Sequence, residues 1–146
     1  MRRLFITTLF VFSVLGLNAQ TQSSGFLTSI KKGIASFYHD KFEGRKTATG
    51  EIFDNDKFTA ASNKLKLGSY AKVTNLSNGQ VIYVRVNDRM AKTNERLIDL
   101  ASIAAKKLHF HEKGIAQVKV EVVPESEGRK AILAQNGFDS LPKNQL

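Results

Sequence analysis

Tyr70-Ala71-Lys72-Val73-Thr74-Asn75-Leu76-Ser77-Asn78-Gly79-Gln80-Val81-Ile82-Tyr83-Val84-Arg85-Val86-Asn87-Asp88-Arg89 is the stretch that decides the fold class. Side chains alternate between the two faces of a β-strand. In residues 70–74, Ala71 and Val73 share one face while Lys72 and Thr74 share the other. In residues 81–87, Ile82, Val84 and Val86 alternate with Val81, Tyr83 and Arg85. The link between them contains Asn78-Gly79, a pair that tolerates the positive φ of a tight hairpin turn. Two neighbouring strands with one apolar face follow, and the second ends on an acid, Asp88.

Outward from this hairpin the pattern stays short and alternating. Gly33-Ile34-Ala35-Ser36-Phe37-Tyr38 reads as a strand. Residues 39–57, rich in charge, Gly and Thr, read as a long ordered loop of the kind that carries functional groups. Leu100, Ile103, Ala104 and Leu108 make one apolar stripe, predicting a short helix over residues 101–108. Lys106 and Lys107 suit the negative end of its dipole. A last strand over residues 115–123 is expected to bury Ala116, Val118, Val120 and Val122 and to expose Gln117, Lys119 and Glu121. From Pro124 the pattern fades, and residues 124–146 read as a weak C-terminal tail. Several short strands with one small helix in roughly 90 residues predict a small, mainly β barrel.

Length and composition narrow the function classes. A chain of 146 residues supports one domain. An apolar fraction of 42% and a charged fraction of 24% exclude a disordered polyelectrolyte and a membrane bundle. The absence of cysteine excludes a disulfide scaffold, a thiolate zinc site, a cysteine nucleophile and a lipid-modified N-terminal cysteine. Residues 1–20 open on Arg2-Arg3 and continue through an apolar run of about 14 residues, short of the roughly 20 that a membrane-spanning helix needs. With Leu17-Asn18-Ala19 before a polar stretch, residues 1–19 are expected to be a secretory signal peptide. The formal charge is 22 − 13 = +9, and loss of Arg2 and Arg3 would leave 20 − 13 = +7.

Residues 20–32, rich in Ser, Thr and Gln, are then a flexible leader to a single domain over residues 33–123. The expected protein is exported, periplasmic or extracellular, monomeric and without a permanent membrane anchor. Its positive surface points to anionic wall polymers or membrane surfaces, and its basic and aromatic residues form no dense nucleic-acid patch. No cofactor is implied. A metal site at His109-Phe110-His111 needs at least one more protein ligand, and nothing in the sequence specifies it, so these read as surface histidines.

Six segments, in order, carry a resemblance. They are Gly33-Ile34-Ala35-Ser36-Phe37-Tyr38, Thr47-Ala48-Thr49-Gly50-Glu51-Ile52-Phe53-Asp54, Thr59-Ala60-Ala61-Ser62, Val84-Arg85-Val86-Asn87-Asp88-Arg89, Arg96-Leu97-Ile98-Asp99-Leu100 and the helix around Ala104-Ala105. Together they resemble the rare lipoprotein A (RlpA) family. The resemblance implies a six-stranded double-psi β-barrel with one or two short helices. It also implies a bacterial cell-wall protein, since characterised members resemble lytic transglycosylases that cut peptidoglycan glycan strands stripped of stem peptides. Carried over by position, the family's functional acids fall on Glu51, Asp54 and Asp88. Asp88 matches the single catalytic Asp of related barrel transglycosylases, and Asp99 matches an acid that expansins need for wall loosening. Ser62 stands where the family usually has His, and Met90-Ala91 where it has Gly-Pro.

Cleaving a glycosidic bond needs a proton on the leaving oxygen while oxocarbenium character builds at the sugar. A lytic transglycosylase can use one carboxyl, because the muramoyl C6 hydroxyl is an intramolecular nucleophile. Asp88 is the expected acid/base; by its residue type alone it is equally a turn carboxylate held by Arg85 or Arg89. Glu51 and Asp54 are the expected supporting acids, acting on Asp88 by like-charge repulsion or on sugar hydroxyls. Asp54 equally reads as an Asx turn or cap in Asp54-Asn55-Asp56. Ser62, Arg89, Asp99 and Tyr38 are the expected substrate-binding residues, with Asp99 equally a cap for the helix that follows. His39 is a candidate stand-in for the absent family histidine. The expected activity is endolytic cleavage of MurNAc–GlcNAc strands to 1,6-anhydromuramic ends, in wall remodelling and daughter-cell separation. The alternative is a non-catalytic peptidoglycan-binding or expansin-like wall-loosening protein.

Overall fold

The computed structural model describes residues 28–139. The expected signal peptide, the first part of the leader and residues 140–146 lie outside these. Six strands close into a barrel in the order β1-β5-β2-β4-β3-β6. They are β1 (Ile30–Phe37), β2 (Thr59–Ala61), β3 (Tyr70–Asn75), β4 (Val81–Asp88), β5 (Ile98–Leu100) and β6 (Ala116–Val123). Helix α1 (Ser102–Lys107) precedes β6, and helix α2 (Glu125–Asp139) follows it.

The β3–β4 hairpin forms as its alternation requires. Thr74 faces Val81 and Ala71 faces Val84, and Asn75 closes the turn by donating to the Gln80 carbonyl at 2.9 Å. Gly79 takes φ +74, which a side chain would strain. Ala71, Val73, Val84 and Val86 are fully buried, as are Val118 and Val120 from β6 and Ile98 and Leu100 from β5. They fill one core with Ala104, Ala105, Leu108 and Phe110 from the α1 region. β1 begins at Ile30, inside the expected leader, because residues 30–35 pair along β6. No helix among the described residues is long and apolar enough to cross a membrane.

Three elements differ from the sequence expectation. β2 and β5 have only three residues each, too few for alternation to mark them, and the sequence pattern assigns neither as a strand. Both pair on two sides: β5 runs parallel to β1 and antiparallel to β2, while β2 runs parallel to β4. Residues 125–139, expected as tail, form α2 on the outside of the β3–β4 hairpin. Its contacts include Gly128, where a Cβ would collide with Tyr70, Ile132, which packs on the core, and Gln135. The Gln135 amide donates to the Tyr83 carbonyl at 2.9 Å and accepts from the Tyr83 N–H at 2.6 Å. It thereby pairs β4 backbone that lies beyond the reach of short β2.

Candidate active site

The long loop is built before it can position anything. Residues 44–53 fold back on themselves through Lys46 opposite Ile52, with Phe53 donating to Arg45 at 2.7 Å and Thr47 donating to Glu51 at 2.8 Å. Gly50, at φ +85, turns the tip. Asn55 fastens the base. Its N–H donates to Glu43 at 2.8 Å and its side-chain amide donates to Asp40 at 2.9 Å. Its side-chain oxygen accepts the Ser102 N–H at 2.8 Å and its carbonyl accepts the Ile103 N–H at 3.1 Å. Asn55 therefore caps α1 from another part of the chain. Ala101, at the N-cap position, has no side chain that can do so.

The loop tip then docks on the end of β4. Thr49 donates to the Asn87 carbonyl at 3.2 Å, and Ala48 donates to Asp88 Oδ1 at 2.9 Å. Arg85 forms an ion pair with Glu51, whose Oε2 also accepts from Asn87 at 3.2 Å. The pairing of β2 with β4 slips by one residue, so that Ala60 faces Val86 and Ala61 faces Asp88. Asn87 is the extra residue. Unbroken alternation from Val84 and Val86 would send Asp88 into the apolar interior; the slip leaves it half-buried at the rim.

Asp88 accepts three hydrogen bonds. Its Oδ2 takes the Tyr38 hydroxyl at 2.6 Å, and its Oδ1 takes the N–H groups of Ala48 and Arg89 at 2.9 and 2.8 Å. The Tyr38 ring lies against Phe53, with centroids 4.3 Å apart, and edge-on to Phe42 at 5.7 Å. Burial, then the hydrogen bond to Asp88 and the charge of that carboxylate, push the Tyr38 phenol far above the ordinary tyrosine value. It remains a neutral hydroxyl beside the acid.

Two clefts flank Asp88. Tyr38, its hydrogen-bond partner, lines one of about 400 Å³ together with His39, Phe42, Met90, Arg96 and Asp99. Asn87, its chain neighbour, lines another of about 350 Å³ with Glu51, Asp54, Lys57, Thr59 and Arg85.

Several expected site residues are brought together, but with altered duties. Glu51 is held below the usual carboxylate range, first by its hydrogen bond from Arg85. Its charge is offset by that guanidinium, so it is a weak source of repulsion on Asp88. Asp54 closes an Asx turn by accepting the Asp56 N–H at 2.9 Å and lies 3.7 Å from Lys57. Asp99 sits within β5 and takes a two-pronged contact from Arg96 at 2.8 and 2.9 Å, so it does not cap α1. Arg89 lines the first cleft, yet its guanidinium donates to the carbonyls of Ser62 and Leu65. Ser62 lies beneath the rim and not on its surface. It is 0% exposed, donates to the Leu97 carbonyl at 2.8 Å and accepts the Lys64 N–H at 3.1 Å. The enclosed hydroxyl braces the backbone under the rim. His39 does reach the first cleft, with Nδ1 accepting from Lys41 at 3.2 Å.

Sequence reasoning missed Asn55 as a hub, Arg96 as the partner of Asp99, and the Ala48 N–H. Backbone donors have no residue signature, and Asn55 was visible only as turn chemistry. Among the described residues no three His, Cys, Asp or Glu gather as a metal site.

Residues 30–120 match the lytic transglycolase family. The chain belongs to that family. It is an RlpA-like double-psi β-barrel, 46% identical over 113 residues to the endolytic peptidoglycan transglycosylase RlpA of Haemophilus influenzae, covering 77% of this chain and 39% of that protein. It is 53% identical over 89 residues to the protein of the same name from Pseudomonas aeruginosa, covering 61% and 26%. The chain thus spans less than half the length of these relatives. Among solved structures, the barrel is similar to a Streptomyces papain inhibitor at TM-score 0.54 and 24% identity, covering 66% of this chain and 96% of that one. It is also similar to the Clavibacter michiganensis expansin at TM-score 0.53 and 20% identity, covering 66% and 52%. These two likenesses concern the fold alone.

Proposed function

We propose that this RlpA-like barrel is an endolytic peptidoglycan lytic transglycosylase that acts outside the cytoplasm after loss of residues 1–19. It works as a monomer, without a cofactor, on MurNAc–GlcNAc strands in wall remodelling and daughter-cell separation. The observation that carries this reading is one carboxylate, Asp88, fixed by three hydrogen bonds between two clefts. The transglycosylase names of relatives 40–53% identical point the same way.

The two oxygens of Asp88 are not equivalent. Backbone N–H groups can only donate, so Ala48 and Arg89 hold Oδ1 as an acceptor. A hydroxyl can donate or accept, so Tyr38 can serve either protonation state of Oδ2. The proton therefore comes and goes at Oδ2. It passes to the leaving GlcNAc oxygen as the muramoyl C1–O bond breaks. The C6 hydroxyl then adds to C1, its proton returns to Oδ2, and the 1,6-anhydro ring closes without water. Glu51 serves as a positioning carboxylate: through Arg85 and Asn87 it keeps the loop tip, and so the Ala48 N–H, on Asp88. Asp54 shapes the second cleft by its turn. Tyr38 positions Asp88, while Asp99 and Arg96 offer paired polar groups to sugar hydroxyls in the first cleft.

Digestion of peptide-stripped and intact peptidoglycan, read by mass spectrometry, tests this. Fragments ending in 1,6-anhydromuramic acid are expected, and Asp88→Asn should abolish them while the chain stays folded and still sediments with the glycan. Strands left intact by the native chain would overturn the enzyme and leave a wall-binding barrel.

A further inference from the structure

Charge is shared unequally between the two clefts. The second holds two acids, Glu51 and Asp54, and two cations, Arg85 and Lys57, matched as two ion pairs. The first holds three cations, Lys41, Arg89 and Arg96, against one acid, Asp99, and Arg96 takes that acid. No ion pair among the described residues involves Lys41 or Arg89.

The acids nearest to them in sequence are committed elsewhere. Asp40 accepts from the Asn55 side chain and Glu43 from the Asn55 N–H, at the base of the loop. Asp88 gives its oxygens to Tyr38 and to the N–H groups of Ala48 and Arg89. Lys41 places its ammonium over the Phe42 ring, 5.4 Å from the centroid, and the Arg45 guanidinium lies over the same ring at 5.2 Å. Arg89 spends Nη1 on the carbonyls of Ser62 and Leu65, which leaves its Nε–H and Nη2 donors for a further acceptor. Those carbonyls fix the guanidinium without cancelling its charge. Phe37, Tyr38 and Phe42 add aromatic surface to the same cleft. Unmatched cations beside aromatic faces suit a sugar that carries a carboxylate. The two sugars of the strand differ in that respect: GlcNAc is neutral, whereas MurNAc bears a lactyl carboxyl.

We propose that the first cleft is the subsite for the free lactyl carboxylate of a muramoyl residue, with Lys41 and Arg89 as its cationic partners. The inference rests on the peptidoglycan reading above and deepens it. These two side chains distinguish a muramoyl residue whose carboxyl is free from one whose carboxyl is joined to a peptide, because an amide there offers neither cation a charge.

The test titrates the full chain with the disaccharide GlcNAc–MurNAc and with its lactyl methylamide, followed by backbone amide chemical shifts. Neither ligand contains the MurNAc–GlcNAc bond, so neither is consumed. The acid is expected to bind about fivefold more tightly than the methylamide, with shifts at residues 38–42 and 89–96, and high salt should erase that advantage. Lys41→Gln, at an exposed position, should lower the advantage to about twofold, and Lys41→Glu should abolish it. Lys130→Gln removes the same charge from exposed α2, away from the cleft, and should leave the advantage intact. Equal affinity for acid and methylamide, an equal effect of Lys130→Gln and Lys41→Gln, or shifts confined to other faces would overturn the subsite. If stripped strands are cut and the acid has no advantage, the subsite falls and the transglycosylase stands. If the acid binds with this variant dependence and no strand is cut, the subsite stands and the enzyme falls.

Discussion

Replacing Glu51 by glutamine separates proton transfer from positioning. The Glu51 side chain is 43% exposed and that of Arg85 is 27% exposed, so solvent screens their attraction to about 0.5–1 kcal/mol. Glutamine keeps an oxygen that can accept from Arg85 and Asn87, and Thr49 still donates to the Asn87 carbonyl at 3.2 Å. Losing that increment from the docked loop should slow cleavage by about two- to fivefold. A residue that itself moved the proton would cost about 10²- to 10⁴-fold and would remove one limb of the pH–rate profile. The assay is the initial rate of 1,6-anhydro-ended fragment release from peptide-stripped glycan across the acid-to-neutral range. Stability supplies an independent check. The folded chain holds Glu51 below its ordinary value, so its contribution is complete above about pH 4.5 and is lost as pH falls through the lowered value. Native and variant stabilities should therefore differ near neutrality and converge in acid. A thousandfold rate loss with the acid limb erased would refute the positioning role and make Glu51 a proton carrier.

Three further outcomes follow from the same geometry. Tyr38→Phe removes a 2.6 Å hydrogen bond to a carboxylate and should cost about 1.5–3 kcal/mol in cleavage or stability, read by kinetics and urea unfolding. Because the folded state raises the Tyr38 phenol, the stability it supplies is complete below about pH 10 and declines as pH climbs above it; the phenylalanine variant should lack that alkaline decline. Asn55→Ala strands the buried Ser102 N–H and removes the hydrogen bond to exposed Asp40, with an expected loss of about 1–3 kcal/mol in urea unfolding, and a loss under about 0.5 kcal/mol would contradict the hub. Gly128→Ala should gain about 1 kcal/mol in helix propensity yet lose more to the collision with Tyr70, freeing α2 and speeding hydrogen exchange at the Tyr83 amide.

Much of the barrel was legible because its longest strands obey simple alternation. β3, β4 and β6 bury one face and announce it, and the Asn78-Gly79 turn joins the first two. The short central strands were hidden for the opposite reason. β2 is buried on every residue, and β5 owes its existence to neighbours on both sides rather than to its own pattern. Helix α2 was hidden because, beside the single core contact of Ile132, it docks through the absence of a side chain at Gly128 and through a polar one at Gln135. Neither produces an apolar stripe, so periodicity has nothing to detect.

The site shows the same limit from the chemical side. Glu51, Asp54, Asp88 and Tyr38 were all picked out by residue type and motif, yet which of them carries a proton depends on partners that sequence spacing does not reveal. Asp88 is the sharpest case. It follows Val84 and Val86 in phase, and by alternation alone it would be an ionisable group inside an apolar barrel, an arrangement that costs several kcal/mol without a partner. One extra residue in the β2–β4 register turns it to the rim, where Tyr38 and two amides receive it. The irregularity and the acid are thus one feature: the slip would serve no purpose for a valine at that position, and an aspartate would not be tolerated there without the slip. This local break in pattern at a charged strand end sets Asp88 apart from the acids that lie on the loop and supports the role proposed for it.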